Sequence, residues 1–222
     1  MRNSWKHHYW RQYFLSYVVL PVMAGLMFGS YTTGFATPAG GIVTTGSGTI
    51  NQVGSTTTIT QTTSKFGINW DRFNIGSGEK VQFIQPLSTS VALNRVVGNE
   101  ASAIYGTLTA NGRVFLINPN GILFAPGAQV NVGGLVASTL NMTDSDFLAG
   151  KYSFSGTGGS VLNQGTVTAA DGGYIALLGT RAGNKGIIVA RQGTVALAAG
   201  TAVTLDMRGD GLLNLAVDKA AV

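Results

Sequence analysis

Two histidines, nine carboxylates and no cysteine make up most of the reactive chemistry in this 222-residue chain. Both histidines, His7 and His8, fall in the first eight residues. Beyond them there is neither His nor Cys. Ser-His-Asp and Cys-His nucleophilic catalysis, and His/Cys metal sites, are therefore absent from the rest of the chain. The closest carboxylate pairs are Asp144 with Asp146 and Asp206 with Asp210. Glycoside hydrolysis needs two carboxylates facing one bond, and calcium needs several converging oxygens. Neither pair has further acids beside it, so both are expected in caps and turns. No P-loop is present; Gly183-Asn184-Lys185-Gly186 reads as a turn. The expectation is a protein that is not an enzyme, with no cofactor and no catalytic or metal site.

The elements that must position any site begin with an export signal. Met1–Phe14 is basic and Leu15–Phe28 is apolar. Gly34-Phe35-Ala36 resembles a small-x-Ala cleavage site, placing the cut between Ala36 and Thr37, with a cut after Ala39 as an alternative. The apolar run is shorter than the roughly 20 residues that span a bilayer, so a mature chain that does not span the membrane is expected. Arg2, Lys6 and Arg11 account for three of the 14 basic residues; the remaining 11 face nine acids, a net charge of +2. Such a chain lacks the basic surface that nucleic acid requires. Export without cysteine leaves packing and backbone hydrogen bonds to hold the fold.

After residue 37 the pattern is short strands rich in Val, Ile, Thr, Phe and Leu, punctuated by Gly, Asn, Asp and Pro. Gly48–Thr63 alternates as a strand or hairpin. Phe66, Trp70 and Phe73 point toward a core or cap. Lys80–Ile84 and Ser90–Val97 are further strands, and Asp144–Leu148 makes a helical turn capped by Thr143 or Asp144. Gly106-Thr107-Leu108-Thr109-Ala110 recurs from Gly165 and again from Gly193. Five strands are expected after Gly165: the Gly165 unit, Tyr174–Leu178, Gly186–Ala190, Val195–Ala198 and Val203–Met207. Stacked solenoid coils fit these recurrences; an antiparallel sandwich or barrel also has short strands and regular turns. Between two apolar runs lies Asn118-Pro119-Asn120-Gly121, a β-turn in composition. Asn94-Arg95-Val96-Val97-Gly98 reads as a strand ending in a glycine turn, with Arg95 on the solvent face.

Several segments in order carry a resemblance. They are Trp70–Gly76, Val91–Gly98, Ala103–Leu108, Gly112–Phe124 (GRVFLINPNGILF) and Ala137–Leu140. Across residues 40–215 the chain resembles the N-terminal two-partner secretion (TPS) domain of filamentous haemagglutinin-like exoproteins. The resemblance implies an all-β fold: a right-handed parallel β-helix with an N-terminal cap and extra-helical strands. It implies a signal peptide over 1–36 and a TPS domain over 37–222. It also implies export by the Sec machinery, capture in the periplasm by the POTRA domains of an outer-membrane β-barrel transporter, and folding at the bacterial cell surface, where an adhesin is the expected product. Asn118, Pro119, Asn120 and Gly121 match the family's NPNG motif and would serve secretion through the shape of the turn. The companion NPNL motif has no match. Asn94 and Arg95 occupy its region and are the candidate partner-recognition residues.

Two other functions remain open to the sequence: a β-helical surface binding a host glycan or receptor, and a β-helical polysaccharide-degrading enzyme. Leu213–Asp218 is strand-like without an evident cap, so the chain is expected to be a fragment, or an unusually short member, of a longer exoprotein.

Overall fold

The computed structural model describes residues 36–206 and 214–220. The signal segment, His7, His8, Met207 and Asp210 lie outside the described residues. In chain order the elements are β1 (Ile42–Thr45), β2 (Gly48–Val53), β3 (Thr56–Gln61), β4 (Lys65–Trp70), β5 (Lys80–Ile84), β6 (Val91–Val96) and β7 (Ser102–Ile104). They continue with β8 (Thr107–Ala110), β9 (Arg113–Ile117), β10 (Ile122–Phe124), β11 (Gln129–Val132), β12 (Gly134–Ser138), α1 (Asp144–Ala149) and β13 (Tyr152–Ser155). The last are β14 (Ser160–Asn163), β15 (Thr166–Ala169), β16 (Tyr174–Gly179), β17 (Arg181–Asn184), β18 (Ile187–Ala190), β19 (Thr194–Asp206) and β20 (Asn214–Ala220).

These strands stack into a right-handed parallel β-helix of about seven turns. Each complete coil lays one strand in each of three sheets. One sheet runs β4-β6-β9-β12-β16-β19, a second β17-β14-β10-β7, and a third β18-β15-β11-β8-β5-β3. Within these runs all pairings are parallel. In-register stacking makes columns of inward side chains: Val81, Leu108, Val130, Val167 and Ile188 in the third sheet, and Ala92, Val114, Leu135, Ile175 and Val195 in the first. Most of these residues lie in one continuous core. At the N-terminal end β1 pairs antiparallel with β4, and β2 forms an antiparallel hairpin with β3. This cap lays Ile50 against the core, above the buried Phe66, Trp70 and Phe73.

Alternation along the strands explains the third sheet. Thr107 and Thr109, or Thr166 and Thr168, face outward while Leu108 and Val167 face inward. The first sheet differs. In β9, Val114 and Leu116 enter the inner core, while Phe115 and Ile117 point outward yet are equally buried. A second apolar layer covers them. Phe147 of α1, Tyr152 and Phe154 of β13, and Val203 and Leu205 of β19 pack over the outer column Leu93, Phe115, Val136 and Ala176. β13 and β20 pair antiparallel with the far half of β19. These are the extra-helical strands.

Three sequence expectations need correction. The Gly165 unit joins the Gly106 unit in the third sheet, but the Gly193 unit forms the start of β19 in the first sheet. The shared Gly-Thr marks a corner, and corners before both sheets begin on glycine. At the corner before β16, Gly173 lies so close to Gly133 O of the coil below that a Cβ would overlap it. Second, Gly183-Asn184 belongs to strand β17 and only the following residues turn. The register pairs Asn184 with Asn163, whose Nδ2 donates to Asn184 Oδ1 at 2.7 Å. Third, no turn divides Val195–Ala198 from the strand at Val203. β19 is continuous over 13 residues because its second half leaves the coil stack to pair with β13 and β20.

Candidate functional site

Asn118-Pro119-Asn120-Gly121 links β9 in the first sheet to β10 in the second, so it forms a coil corner. Gly121 N donates to Asn118 O at 3.1 Å, closing a β-turn. Gly121 has φ +132°, a region that favours glycine. Asn118 has no exposure at all. Its Oδ1 accepts from Asn120 N at 3.0 Å, the Asx-type bond expected at the first turn position. Its Nδ2 donates to Glu100 O and to Ser102 Oγ, each at 2.9 Å, in the preceding coil. Asn120 is exposed, and its Nδ2 donates to Gly98 O at 2.9 Å. Pro119 O accepts from Gly159 N of the following coil at 2.7 Å. The motif is therefore a stacking joint tying three successive levels. Its amides are spent on backbone and hydroxyl partners and on each other, Asn120 Nδ2 donating to Asn118 Oδ1 at 3.1 Å.

Asn94 lies on the inward side of β6 and is fully buried. Its Oδ1 accepts from Trp70 Nε1 at 3.0 Å, and its Nδ2 lies 3.3 Å from both Ala92 O and Phe115 O. An amide satisfies the indole of the cap, where an apolar residue would leave a buried donor unpaired. The folded domain does not offer this side chain to a partner.

Arg95 points outward, as the strand period requires, but the solvent face expected for it is covered. The segment that leads into α1 crosses over it, leaving its side chain 13% exposed. It donates to Met142 O at 2.7 Å, Asn141 Oδ1 at 3.1 Å and Asn69 Oδ1 at 3.3 Å, and it pairs with Asp144 at 2.8 Å. Lys65 of β4 makes a second clip. Its Nζ donates to Phe147 O and Leu148 O near the end of α1, a favoured place for a cation. Burial lowers the Lys65 pKa. Beneath the extra-helical layer, burial raises the Tyr174 and Tyr152 phenols, and the nearby Arg113 opposes this.

The carboxylates of the first pair, Asp144 and Asp146, have structural roles. Asp144 holds Arg95. Asp146 accepts from Thr143 Oγ1 at 2.7 Å, while its N–H donates to that hydroxyl at 3.1 Å, so Thr143 is the cap. Ala36 and Thr37, which flank the expected cut, start the described chain; Thr37 is buried, and Ala36 N donates to Glu79 Oε1 at 2.8 Å. Sequence reasoning missed the buried Gln61, Gln85, Glu79 and Asn163. Gln85 bridges three levels: Nε2 donates to Gln61 Oε1 at 2.9 Å and lies 3.3 Å from Arg113 O, while Oε1 accepts from Gly112 N at 3.0 Å. Glu79 and Gln85 carry a signal, a polar residue beside Gly78 or Pro86 at a coil corner; Gln61 and Asn163 have no such neighbour.

Replacing Arg95 with Met should lower stability by about 1–2 kcal/mol, mostly from the part-buried Met142 carbonyl and Asn69 amide partners. Asp144 is 47% exposed, so Asp144→Asn should cost less than about 1 kcal/mol. Urea midpoints of the two variants measure the difference. Equal losses would show that the ion pair, not the carbonyl clip, is the dominant contact.

Comparison with known proteins agrees with this geometry. The family model described as TPS secretion domain matches residues 35–220. A heme/hemopexin-binding protein of Haemophilus influenzae strain Rd is 33% identical over 228 aligned positions, covering 95% of this chain and 24% of that protein. A second Haemophilus influenzae protein of the same name is 45% identical over 98 positions, covering 44% of this chain and 11% of its own length. The crystal structure of the HMW1 secretion domain from Haemophilus influenzae superposes with a TM-score of 0.73 at 32% identity, covering 83% of this chain and 50% of that one. This chain thus spans about a quarter of the first relative's length. It belongs to the TPS secretion domain family of two-partner secreted proteins.

Proposed function

We propose that residues 37–222 hand an exported polypeptide to its transporter. TPS proteins are secreted across the outer membrane with a cognate transporter, and the family is a secretion module rather than an enzymatic one. In the finer reading, Sec exports the chain and the signal is removed between Ala36 and Thr37. POTRA domains of the β-barrel partner capture the chain in the periplasm, and the β-helix forms at the bacterial surface as part of an adhesin. The family match over nearly the whole domain carries this reading. A chain without cysteine supports it, because no disulfide can lock it before it threads a pore. Asn94 and Arg95 are held in structural contacts in the folded domain, so recognition through them requires an unfolded or partly folded chain. A heme or hemopexin activity, such as the relatives' names carry, would belong to a longer protein of which this domain is a fraction.

Expression of residues 1–222 with and without the cognate barrel tests the proposal. The expected result is release to the medium only with the barrel and only when its POTRA domains are present. Release independent of the barrel overturns it.

A further inference from the structure

Glu79 is a buried carboxylate, 6% exposed, at the N-terminal end of the helix. Its Oε2 accepts from Gly76 N at 2.6 Å and its Oε1 from Ala36 N at 2.8 Å. Among the described residues no Lys or Arg pairs with it. A buried carboxylate that accepts from two neutral amides, with no cation beside it, carries a desolvation cost that an opposite charge would offset. The Ala36 donor is also the residue that a cut before Thr37 removes. After that cut Oε1 would lose its partner, and the nearest new polar group would be the α-ammonium of Thr37.

We propose that Glu79 is the binding site for the amino terminus created by signal removal, so that processing replaces a neutral amide with a charge-assisted pair and completes the N-terminal cap. The proposal rests on the cut falling between Ala36 and Thr37. The geometry favours it. Thr37 is one residue, about 3.8 Å of chain, from the nitrogen Glu79 now holds. Thr37 and Pro38 are buried. Two residues on, Ala39 is anchored: its N–H donates to Arg72 O at 3.0 Å and its carbonyl accepts from Asp71 N at 3.0 Å. The new terminus is thus tethered close to the carboxylate, and loss of the preceding residues frees it to turn. An ammonium on a carboxylate makes shorter and stronger hydrogen bonds than an amide does. Glu79 also sits in the turn before β5, with its own carbonyl accepting from Thr107 N of the next coil at 2.9 Å. Pairing would therefore secure the first two coils to the processed chain end.

The test uses exported protein recovered after processing. Its N-terminal residue is read by mass spectrometry, which checks the cleavage reading by itself: a chain beginning at Gly40, or an uncut chain, removes the premise irrespective of Glu79. For a chain beginning at Thr37, the native α-amine should react with a neutral acylating reagent about tenfold more slowly than in Glu79→Gln, because pairing depletes the reactive free amine. Glu79→Gln should lower Tm in the free-amine protein. It should lower Tm less in protein refolded after its α-amine has been acylated, where only bonds from neutral N–H groups are lost. Equal labelling rates, or equal Tm losses in both forms, overturn the proposal. Glu79→Asp, which keeps the charge on a shorter arm, serves the same comparison if the glutamine variant does not fold.

Discussion

Phe115→Ala is expected to destabilise the domain by about 3–5 kcal/mol, the range for removing a fully buried aromatic ring. That is a large share of the roughly 5–15 kcal/mol that holds a typical domain together. Phe115 lies on the outer face of β9, where a bare solenoid would meet water, yet it has no exposure. Its ring meets Tyr152 edge-on at 5.2 Å and Phe154 at 6.4 Å. The loss should therefore fall first on the extra-helical layer. Trypsin cleavage after the exposed Lys151 should accelerate before the coils themselves unfold, as followed by mass spectrometry during urea titration. Phe115→Leu keeps an apolar filler and should cost less than half as much. If Phe115→Ala left Lys151 as protected as before, the outer layer would not depend on this contact.

The extra-helical layer also changes how the coils are coupled. In a simple solenoid each level touches its neighbours alone. Here α1 and the residues before it reach back to Lys65 in β4 and Arg95 in β6, while β13 pairs forward with β19. Early and late coils are thus fastened by one segment. If the coils fold in order during the proposed export, the stack is completed only when β13 and β19 have both emerged.

The sequence shows the third sheet plainly. In Thr166-Val167-Thr168-Ala169 the period of two separates a polar face from an apolar one, and the structure keeps that division. A strand or hairpin over Gly48–Thr63, aromatics for a core or cap, and a helical turn capped by Thr143 or Asp144 are also legible, and the structure decides among these alternatives. Val114-Phe115-Leu116-Ile117 is not, because an unbroken apolar run says that both faces are buried without saying by what. Arg95 was misread for the same reason: strand period gives the outward direction, but the cover comes from a segment about 50 residues later. β17 was lost because Arg181-Ala182-Gly183-Asn184 has little strand propensity. The coil below imposes its conformation through register and the Asn163 amide. At the corner, turn chemistry gave the fold of Asn118–Gly121 correctly. It could not show that Asn118 reaches down to the level beneath.

That downward reach sets the second large effect. Asn118→Ala removes both donor bonds, to Glu100 O and Ser102 Oγ, and the acceptor for Asn120 N. With the site fully buried, the stranded partners should make the loss about 2–4 kcal/mol. Asn120→Ala loses chiefly an exposed bond to Gly98 O and should cost less than about 1 kcal/mol. Pro119→Ala should cost about 0.4–1 kcal/mol, from the freer unfolded chain. The same order should appear in barrel-dependent release to the medium if the motif acts through the shape of its corner. Asn118→Ala should then be the weakest exporter, with Asn120→Ala near the parent. A partner that reads the tetrapeptide as an extended chain would see both asparagines alike, since neither is buried before folding. Equal export defects with unequal stabilities would therefore assign the motif to recognition. Matched ranks would assign it to the joint between coils.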